Sequence, residues 1–332
     1  MIDATEKSTG KAAVSTPAGA EHPRTHPPAS YVLMTAAHNE EADIERTIQS
    51  IVAQTVRPER WLIASDNSTD RTDEIIQKYA NQYSFIRFHR VDRQEGRDFA
   101  SKVLALRAGQ HLLDGATYDF IGNFDADLSV APTYFEDLMR QFEQNPRLGL
   151  TGGFVYEKQN GEFASRKVNQ VYSVSHAAQL VRRECYEAIG GYAVLKYGGE
   201  DWHAQTSARM KGWEVYATPE LPIYHYRPTG GATNFVRSSF RLGKLDYSFG
   251  TYPSFQLIKC ASRLHKKPFL LGAIIRMAGF LDSYIRREPF LLSPELVAHL
   301  RQEQQERMRA LFGRSGGTAS ASHSSGSKSD LP

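Results

Sequence analysis

The stretch YDFIGNFDADLSV, residues 118–130, places two acidic residues directly after an apolar run. Phe120 and Ile121 lie within that run, and Asp125 and Asp127 follow it one residue apart. An apolar, aromatic run that ends in acids is typical of a buried strand whose last residues emerge into a cleft. Two carboxylates this close repel each other unless water, a cation or hydrogen-bond donors hold them. The stretch therefore predicts a strand that ends at a polar cleft, with a positive group beside the acids.

Strand and helix patterns alternate along the chain up to this stretch. The pattern predicts strands at 31–37, 60–66, 85–91 and 118–125, and helices at 39–54, 68–80 and 97–113, the first capped by Asn39. Short connections between alternating elements predict an α/β fold, with a Rossmann-like, mainly parallel sheet flanked by helices. Ligands bind such sheets at the carboxyl ends of the strands. The residues at these strand ends are Thr35, Ala36, Asp66, Asp125 and Asp127.

The composition excludes several classes of protein. A formal net charge of +3 over 332 residues is too small to imply a nucleic-acid partner. The two cysteines, Cys185 and Cys260, exclude a disulfide scaffold and fit a reducing cytoplasm. No apolar run reaches the roughly 20 residues that a spanning helix needs. No glycine-rich phosphate loop follows the first strand, which argues against a dinucleotide-binding or P-loop enzyme.

The sequence divides into four segments by composition. Residues 1–29 are polar and rich in Pro, Ala and Thr, without the apolar core of a signal peptide, and are predicted to be a disordered leader. Residues 30–232 carry the predicted α/β domain, and residues 233–312 a helical C-terminal extension. Residues 313–332 are rich in Gly and Ser and are predicted to be a disordered tail.

The acidic pair suits a divalent cation that bridges a ligand diphosphate. Mg²⁺ and Mn²⁺ usually bind through one or two carboxylates plus substrate phosphates. The alternative is an exposed turn in which Asp127 caps the next helix. His225, in the run IYHYRPTGG, is a candidate ligand to the cation or a diphosphate contact, or else a structural histidine. Candidate diphosphate-binding residues are Arg227, Arg237 and Arg241, although each taken singly is more typical of a surface arginine.

The run GGEDWHAQ, residues 198–205, supplies a candidate general base. Two glycines allow a sharp turn, and Glu200 and Asp201 then open a helical pattern. One of these carboxylates could deprotonate an acceptor hydroxyl that stands in line with a leaving group. The alternative is that both are ordinary acids at a helix start, which the helix dipole stabilises.

These motifs, in this order, resemble the family 2 glycosyltransferases of bacterial surface and exopolysaccharide synthesis, which have the GT-A fold. The resemblance runs over residues 31–230 and is carried by VLMTAAHNEE, QTVRPERWLIASDNSTDRT, SKVLALRAG, FDAD and GGED. Ala36 and His38 depart from the residues that the family usually carries in the first motif, and Arg107 departs in the third. The fold that the resemblance implies is α/β of the GT-A type, with the C-terminal helices as an extension.

The resemblance also implies a role for each motif. Asp66 would read the nucleotide base, Lys102 would contact the nucleotide, and Asp125 would meet the ribose. Asp127 would hold the metal, Mn²⁺ or Mg²⁺, with His225 near it, and Asp201 would be the base, with Glu200 beside it. The reaction implied is an inverting, single displacement from a nucleotide sugar, most often a UDP-sugar, to a hydroxyl of a polysaccharide or lipid-linked acceptor.

Two other functions are compatible with parts of this pattern. A sugar-phosphate nucleotidyltransferase uses a similar sheet and metal carboxylates, but it would be expected to carry a glycine-rich basic loop after the first strand, where this chain has the acidic TAAHNEEADIE. A non-catalytic nucleotide-sugar-binding protein of the same fold would be expected to lose Asp127 or Asp201, and both are present.

The C-terminal run RLHKKPFLLGAIIRMAGFLDSYIRREP has basic residues on both sides of an apolar centre. Basic flanks attract anionic lipid, and an apolar helix face can enter the headgroup boundary. We favour peripheral membrane association over the alternative, a helix hairpin that completes the domain core. The sequence therefore predicts a cytoplasmic enzyme that lies at the inner face of the membrane and meets a lipid-linked acceptor there.

Overall fold

A computed structural model describes residues 29–93, 98–159, 161–227, 235–262 and 270–315, the last helix by its backbone alone after residue 310. Its described part contains one sheet of nine strands, ordered β3-β2-β1-β4-β8-β6-β9-β5, with β7 paired to β6. The strands are β1 (Tyr31–Ala37), β2 (Arg60–Asp66), β3 (Ile86–Val91), β4 (Phe120–Phe124), β5 (Leu128–Val130), β6 (Leu148–Gln159), β7 (Glu162–Ser165), β8 (Ala178–Arg182) and β9 (Glu214–His225). Most of the predicted leader and tail, residues 1–28 and 316–332, lies outside the described residues.

Ten α-helices connect and flank these strands in the described part. They are α1 (Ile44–Val52), α2 (Thr72–Gln82), α3 (Ser101–Gly109), α4 (Tyr134–Gln144), α5 (Arg183–Ala188), α6 (Glu200–Met210), α7 (Phe235–Ser248), α8 (Pro253–Ala261), α9 (Leu271–Ile285) and α10 (Pro294–Ser315), with a 3₁₀ turn at Gln110–Leu113. The predicted strand–helix alternation of the first half is therefore confirmed. The predicted C-terminal helices are present as α7 to α10.

The first four strands in space, β3-β2-β1-β4, are parallel to one another, as predicted. Right-handed crossovers through helices are the usual way to join parallel strands, and α1, α2 and α3 lie between them in sequence. The consequence is that β1, β2 and β4 all end at the same edge of the sheet. Asp66 and the segment after Phe124 meet at that edge.

The second half of the sheet is mixed rather than parallel. Strand β8 pairs antiparallel with both β4 and β6, β6 pairs parallel with β9, and β5 pairs antiparallel with β9. Three residues separate β4 from β5, which is too short for a parallel crossover. Strand β4 is already paired with β1 on one side and β8 on the other, so β5 pairs with β9 and forms the opposite edge of the sheet.

The predicted helix starts at 39, 68 and 97 are each several residues early, because α1, α2 and α3 begin at Ile44, Thr72 and Ser101. Asn39 does not cap the first helix, because α1 begins at Ile44. Asn39 instead has a positive φ of 53° and its side-chain oxygen accepts a hydrogen bond from the backbone N–H of Thr69 at 2.8 Å. The residues between β1 and α1 therefore form a turn at the strand ends, and this turn brings Glu40 toward the cleft.

The sheet is covered on both faces. Along β1, Tyr31 and Leu33 belong to the core on one face, together with Trp61 and Phe135, while Met34 belongs to the core on the other. All five side chains are at most 1% exposed. A strand buried on both faces reads as a continuous apolar run, which is why YVLMTAA lacks the alternation of a half-exposed strand.

Helices α7 and α9 cross at a very short distance in the C-terminal extension. A Cβ atom on Gly243 would lie 1.9 Å from the backbone oxygen of Arg276, and one on Gly279 would lie 2.0 Å from that of Phe240. Beside this crossing, the buried Asp246 accepts hydrogen bonds from Arg276 at 2.6 Å and from Lys259 at 2.7 Å. No helix among the described residues is both long enough and apolar enough to cross a membrane.

Replacing Gly279 by alanine should destabilise the protein. The new methyl group would force the two helix backbones apart, and overpacking of this kind costs about 1–3 kcal/mol. Gly272→Ala on the same helix is the matched control, because its Cβ would meet the ring tip of Phe235 at 3.0 Å and no backbone atom. That control should be neutral or gain up to about 1 kcal/mol from helix propensity. Equal midpoints for both variants in urea unfolding would contradict the close crossing.

Candidate active site

The first acid after β4 is paired with a lysine. The Nζ of Lys102, in the first turn of α3, lies 2.5 Å from Asp125 Oδ1, and Asn123 Nδ2 donates to the same oxygen at 3.1 Å. The backbone N–H of Asp125 donates to the carbonyl of Ala177 at 2.7 Å, which fixes the turn after the strand. Lys102 is therefore the positive group that the spacing of the acids predicts at this position.

The second acid is buried and is bound by two residues from β9 and the segment after it. Asp127 is 5% exposed. Its Oδ2 lies 2.9 Å from His225 Nε2 and 3.0 Å from Arg227 Nη2. Leu128 on β5 pairs with His225 on β9. This pairing brings Asp127 and His225 together from positions about a hundred residues apart in the chain.

The pKa values of this group follow from the contacts. Burial would raise the pKa of Asp127, but His225 and Arg227 outweigh it and lower that pKa. Burial would lower the pKa of His225, but Asp127 outweighs it and raises that pKa. The contact therefore favours the ionised carboxylate of Asp127.

Glu40 also belongs to this cluster, and the sequence interpretation missed it. Its Oε1 accepts a hydrogen bond from Arg227 Nη2 at 2.7 Å, so that one arginine nitrogen lies between Glu40 and Asp127. Burial raises the pKa of Glu40 to about 7, against the lowering effect of Arg227. The predicted helix at 39–54 placed Glu40 on a helical turn, and the actual turn after β1 is what directs it into the cleft.

Asp127 and His225 are the residues that could hold a divalent cation. Within the described part of the chain, no three or more Asp, Glu, His or Cys residues cluster as a metal site. The 2.9 Å between Asp127 Oδ2 and His225 Nε2 nevertheless fits two adjacent ligands of one ion, since bonds of about 2.1 Å at right angles put their ligand atoms about 3 Å apart. Phosphate oxygens or water would have to complete the coordination.

The two acids of GGEDWHAQ lie at the N-terminus of α6. Gly198 and Gly199 precede them with φ of 79° and 92°, which is left-handed backbone that glycine adopts without strain. Asp201 Oδ1 accepts the backbone N–H of Trp202 at 2.7 Å. Glu200 Oε1 lies 3.5 Å from His176 Nδ1. The turn thus presents both carboxylates at the cleft rather than along an exposed helix.

The surroundings move the pKa values of these two acids in opposite directions. Burial would raise the pKa of Glu200, but His176 and then Lys102 outweigh it and lower the pKa to about 2. Burial, and then the charge of Glu200, raise the pKa of Asp201. A pair of titratable groups with pKa values pushed apart is the arrangement that acid–base chemistry uses, and Asp201 is the one that binds a proton more readily.

His176 connects the two acidic clusters and was not predicted as a site residue. It is 4% exposed, and its ring lies against that of Tyr192 with centroids 4.3 Å apart. Its carbonyl accepts hydrogen bonds from the side chains of Asn123 and Lys102. A lone histidine before a strand carries no sequence signal, so only the fold brings it next to Glu200.

The predicted nucleotide side of the cleft has two buried members. Asp66 is 1% exposed, and Arg93 binds its two carboxylate oxygens through two nitrogens, the Nε to Oδ1 distance being 3.0 Å. The Thr35 hydroxyl donates to the carbonyl of Phe124 at 2.6 Å and accepts from Trp61 Nε1 at 2.9 Å. Ala36 is partly exposed beside them. Arg93, like His176, was not a sequence candidate.

The three candidate arginines lie in different places. Arg227 contacts Asp127, as described. Arg241, on α7, donates to the carbonyl of Tyr197 and stacks 3.7 Å from the ring centre of Phe99, on the Glu200 side of the cleft. Arg237 is exposed in the first turn of α7.

Removing the His176 ring nitrogens should raise the pKa of Glu200. His176→Phe keeps an aromatic ring against Tyr192 and leaves burial to dominate, so we expect the carboxyl titration to move upward from about 2. A carboxyl whose pKa is lowered by folding stabilises the folded state at any pH above its pKa in the unfolded chain, which is near 4.3. Wild type should therefore lose this stabilisation as the pH falls from about 4.3 toward 2. Carbon-13 NMR of the Glu200 carboxyl measures this directly. His203→Phe, on the same helix as Glu200, is the control and should leave the Glu200 titration unchanged. A Glu200 titration midpoint in His176→Phe equal to that of wild type would contradict the assignment.

Comparison with known proteins identifies the fold and the family. The sequence profile of glycosyl transferase family 2 matches residues 33–198, which is half of the 332-residue chain. Among solved structures, the mannosyltransferase PcManGT of Pyrobaculum calidifontis, in complex with GDP-Man and Mn²⁺, has a TM-score of 0.51 at 18% identity, covering 86% of this chain and 82% of that one. TarS 1–349 of S. aureus, in complex with UDP-GlcNAc, has a TM-score of 0.50 at 13% identity, covering 77% and 73%. The predicted GT-A fold is confirmed.

Sequence relatives are polysaccharide synthases. The poly-beta-1,6-N-acetyl-D-glucosamine synthase of Staphylococcus aureus strain COL is 33% identical over 123 residues, 36% of this chain. The corresponding Staphylococcus epidermidis protein is 29% identical over 123 residues. The chain covers 27% of the length of each of these relatives. The profile match contains Asp66, Lys102, Asp125, Asp127 and His176, and the acids of α6 follow it directly. The chain belongs to glycosyl transferase family 2.

Proposed function

We propose that this protein transfers a sugar from a nucleotide sugar, with inversion, to a hydroxyl of a polysaccharide or lipid-linked acceptor, with the help of a divalent cation. The observation that carries the proposal is that two acids of the cleft, Asp127 and Asp201, have surroundings that shift their pKa values in opposite directions. Asp127 is held ionised by His225 and Arg227. Asp201 has a raised pKa beside Glu200.

The donor would bind on the side of the cleft formed by the ends of β2 and β4. Asp66, held by Arg93, would meet the base, with the segment at Thr35 and Ala36 beside it. Asp125, held by Lys102, would meet the ribose. The buried ion pair at Asp66 makes this part of the site rigid before any ligand arrives, which reduces the ordering cost of binding.

The diphosphate would lie next to Asp127. This residue and His225 would hold Mn²⁺ or Mg²⁺, which when bound would supply positive charge for the departing phosphate oxygens. Arg227 adds a guanidinium at the same place, because it already contacts Asp127. Arg241 and Arg237 lie on α7 and would act only on a phosphate chain that extends as far as that helix.

Asp201 would act on the acceptor. It takes the proton of the acceptor hydroxyl as the oxygen attacks the anomeric carbon, and the bond from that carbon to the phosphate oxygen breaks with its electron pair leaving on the nucleoside diphosphate. One displacement inverts the anomeric centre, and no covalent enzyme intermediate forms. Glu200, kept ionised at a pKa of about 2, would stay negative and thereby keep the Asp201 carboxylate basic.

The names of the similar proteins supply the first donors to test. One solved structure of the same fold holds UDP-GlcNAc and the other GDP-Man with Mn²⁺, and the sequence relatives are synthases of an N-acetylglucosamine polymer. UDP-GlcNAc is therefore our leading donor. Family membership favours sugar transfer over the nucleotidyltransferase and the non-catalytic alternatives. A lipid-linked acceptor would fit a cytoplasmic enzyme that works at the inner face of the membrane.

The test is release of UDP or GDP from UDP-GlcNAc, other UDP-sugars and GDP-Man, with and without Mn²⁺. We expect turnover with one donor that EDTA abolishes. Asp201→Asn should lower the rate about 10²- to 10⁴-fold, the usual contribution of a general base, and Asp127→Ala should abolish metal-dependent turnover.

Glu74→Gln is the control for the loss of an acid, because Glu74 is an exposed residue of α2. It should turn over at the wild-type rate. Wild type that binds none of these donors in the presence of Mn²⁺ would overturn the proposal. Full activity in Asp201→Asn would overturn the assignment of the base.

A further inference from the structure

We propose that the exposed face of α9 is the surface through which this protein docks on an anionic lipid bilayer, lying in the plane of the headgroups. The role of that surface in presenting a lipid-linked acceptor rests on the proposed function, whereas the lipid contact itself can be measured without it. The proposal gives the sequence-based expectation of membrane contact a defined surface.

The exposed face of α9 is an apolar stripe with helical spacing. Leu271, Ile274, Ala278, Leu281 and Ile285 recur every three or four residues and therefore lie on one side of the helix. All five are exposed, Ile274 by 61% and Ile285 by 76% of their surface. Large apolar side chains that are exposed together in a continuous stripe mark an interaction surface.

The opposite side of the same helix is fully used inside the protein. The buried residues of α9 are Ala273, Arg276, Gly279, Phe280 and Ser283. Gly279 lies against the backbone of α7, and Arg276 binds the buried Asp246. The stripe therefore cannot turn inward to complete the core, which decides against the helix-hairpin alternative for this face.

The stripe continues at its N-terminal end onto α7. Phe235 and Val236 are 42% and 51% exposed, and Leu270 is 54% exposed. The ring of Phe235 lies 3.0 Å from where a Cβ on Gly272 would be. The start of α7 and the start of α9 thus form one exposed apolar area.

Among the residues that the structure describes, the exposed charged side chains at the two ends of this area are positive. Arg237 follows Val236 on α7, and Arg286 and Arg287 follow Ile285 on α9. The nearby acids, Asp282 and Glu288, are only partly exposed. Lys244 lies 2.7 Å from Asp282 and 3.1 Å from Glu288, and Arg286 also lies 2.8 Å from Asp282. With Lys244, Arg286 and Arg287 beside these two acids, this end keeps a net positive charge. A basic rim around an apolar face matches anionic headgroups above acyl chains, and it does not match a second copy of the same positive rim.

The geometry favours a helix that lies on the membrane rather than across it. Fifteen residues make α9 about 22 Å long, shorter than the roughly 30 Å of hydrocarbon that a spanning helix must cross. Its inner face is anchored to Asp246. Docking by the outer face would leave the fold intact.

This surface is one helix layer away from the candidate active site. Helix α7 packs against α9 on one side, and on the other its Arg241 and Leu245 contact Tyr197 and the Gly199 turn that presents Glu200 and Asp201. A helix is about 10 Å across. A bilayer under α9 would thus lie close to the side of the cleft where an acceptor hydroxyl meets Asp201.

Vesicle co-sedimentation of the full chain tests the proposal. We expect wild type to bind vesicles of phosphatidylcholine with 30% phosphatidylglycerol at low salt, and to bind pure phosphatidylcholine far less. The Ile274→Glu/Ile285→Glu variant should lose at least tenfold in partitioning. Arg286→Gln/Arg287→Gln should lose about fivefold per charge, and only on anionic vesicles.

The matched control is Val168→Glu/Val171→Glu, which puts two acids on exposed apolar residues outside the stripe. It should bind as wild type does, and circular dichroism should show all variants folded. Wild type that ignores anionic vesicles, or a stripe variant that binds as well as wild type, would overturn the proposal. If wild type does not bind lipid but forms a dimer, and the stripe variant is a monomer, the surface serves self-association and the proposal is overturned.

The experiment is independent of the proposed function. Donor hydrolysis in solution should be the same in wild type and the stripe variant. Failure of the vesicle experiment therefore leaves the proposed function standing, and failure to turn over any donor leaves the lipid contact standing.

Discussion

Electrostatic repulsion among carboxylates is the constraint on which this structure depends. Parallel strands that end at one edge of the sheet bring several acids into one cleft, where they would repel each other in the absence of compensation. Most of them lie against a basic side chain: Asp66 with Arg93, Asp125 with Lys102, Asp127 with His225 and Arg227, and Glu200 with His176. Asp201 is the exception among these acids, because its hydrogen bond comes from a backbone N–H, and its raised pKa suits a group that must accept a proton.

The sequence predicted those parts of the fold that local pattern controls. Strands β1 and β2 begin and end where the apolar runs do, because a strand buried on both faces must be apolar throughout. The start of α1 was misplaced, since Asn39 is as good a turn residue as a helix cap and its partner is Thr69 on another loop. The mixed second half of the sheet depends on pairings between distant strands, which no local pattern encodes.

The candidate site divides in the same way. Acids in short motifs were recognisable as candidates, and so were their partners Lys102, His225 and Arg227. Arg93 and His176 lie outside every motif, and Glu40, although it lies in the first motif, was assigned to a helix, so only the tertiary fold shows that these residues are neighbours of the acids. The C-terminal helices show what the sequence alone could not predict, namely which face of a helix is buried. The sequence indicated an apolar helix with basic flanks, and the structure separates its two faces, one packed on α7 through Gly279 and the other exposed at Ile274.

The central claim is that a divalent cation and a nucleoside diphosphate meet at Asp127. Crystals grown with UDP and Mn²⁺, with diffraction data collected at the manganese absorption edge, test it most directly. The account predicts one anomalous peak within bonding distance of both Asp127 and His225, in contact with the diphosphate oxygens. Bound UDP with no manganese near Asp127, or manganese at a different group of acids, would contradict it.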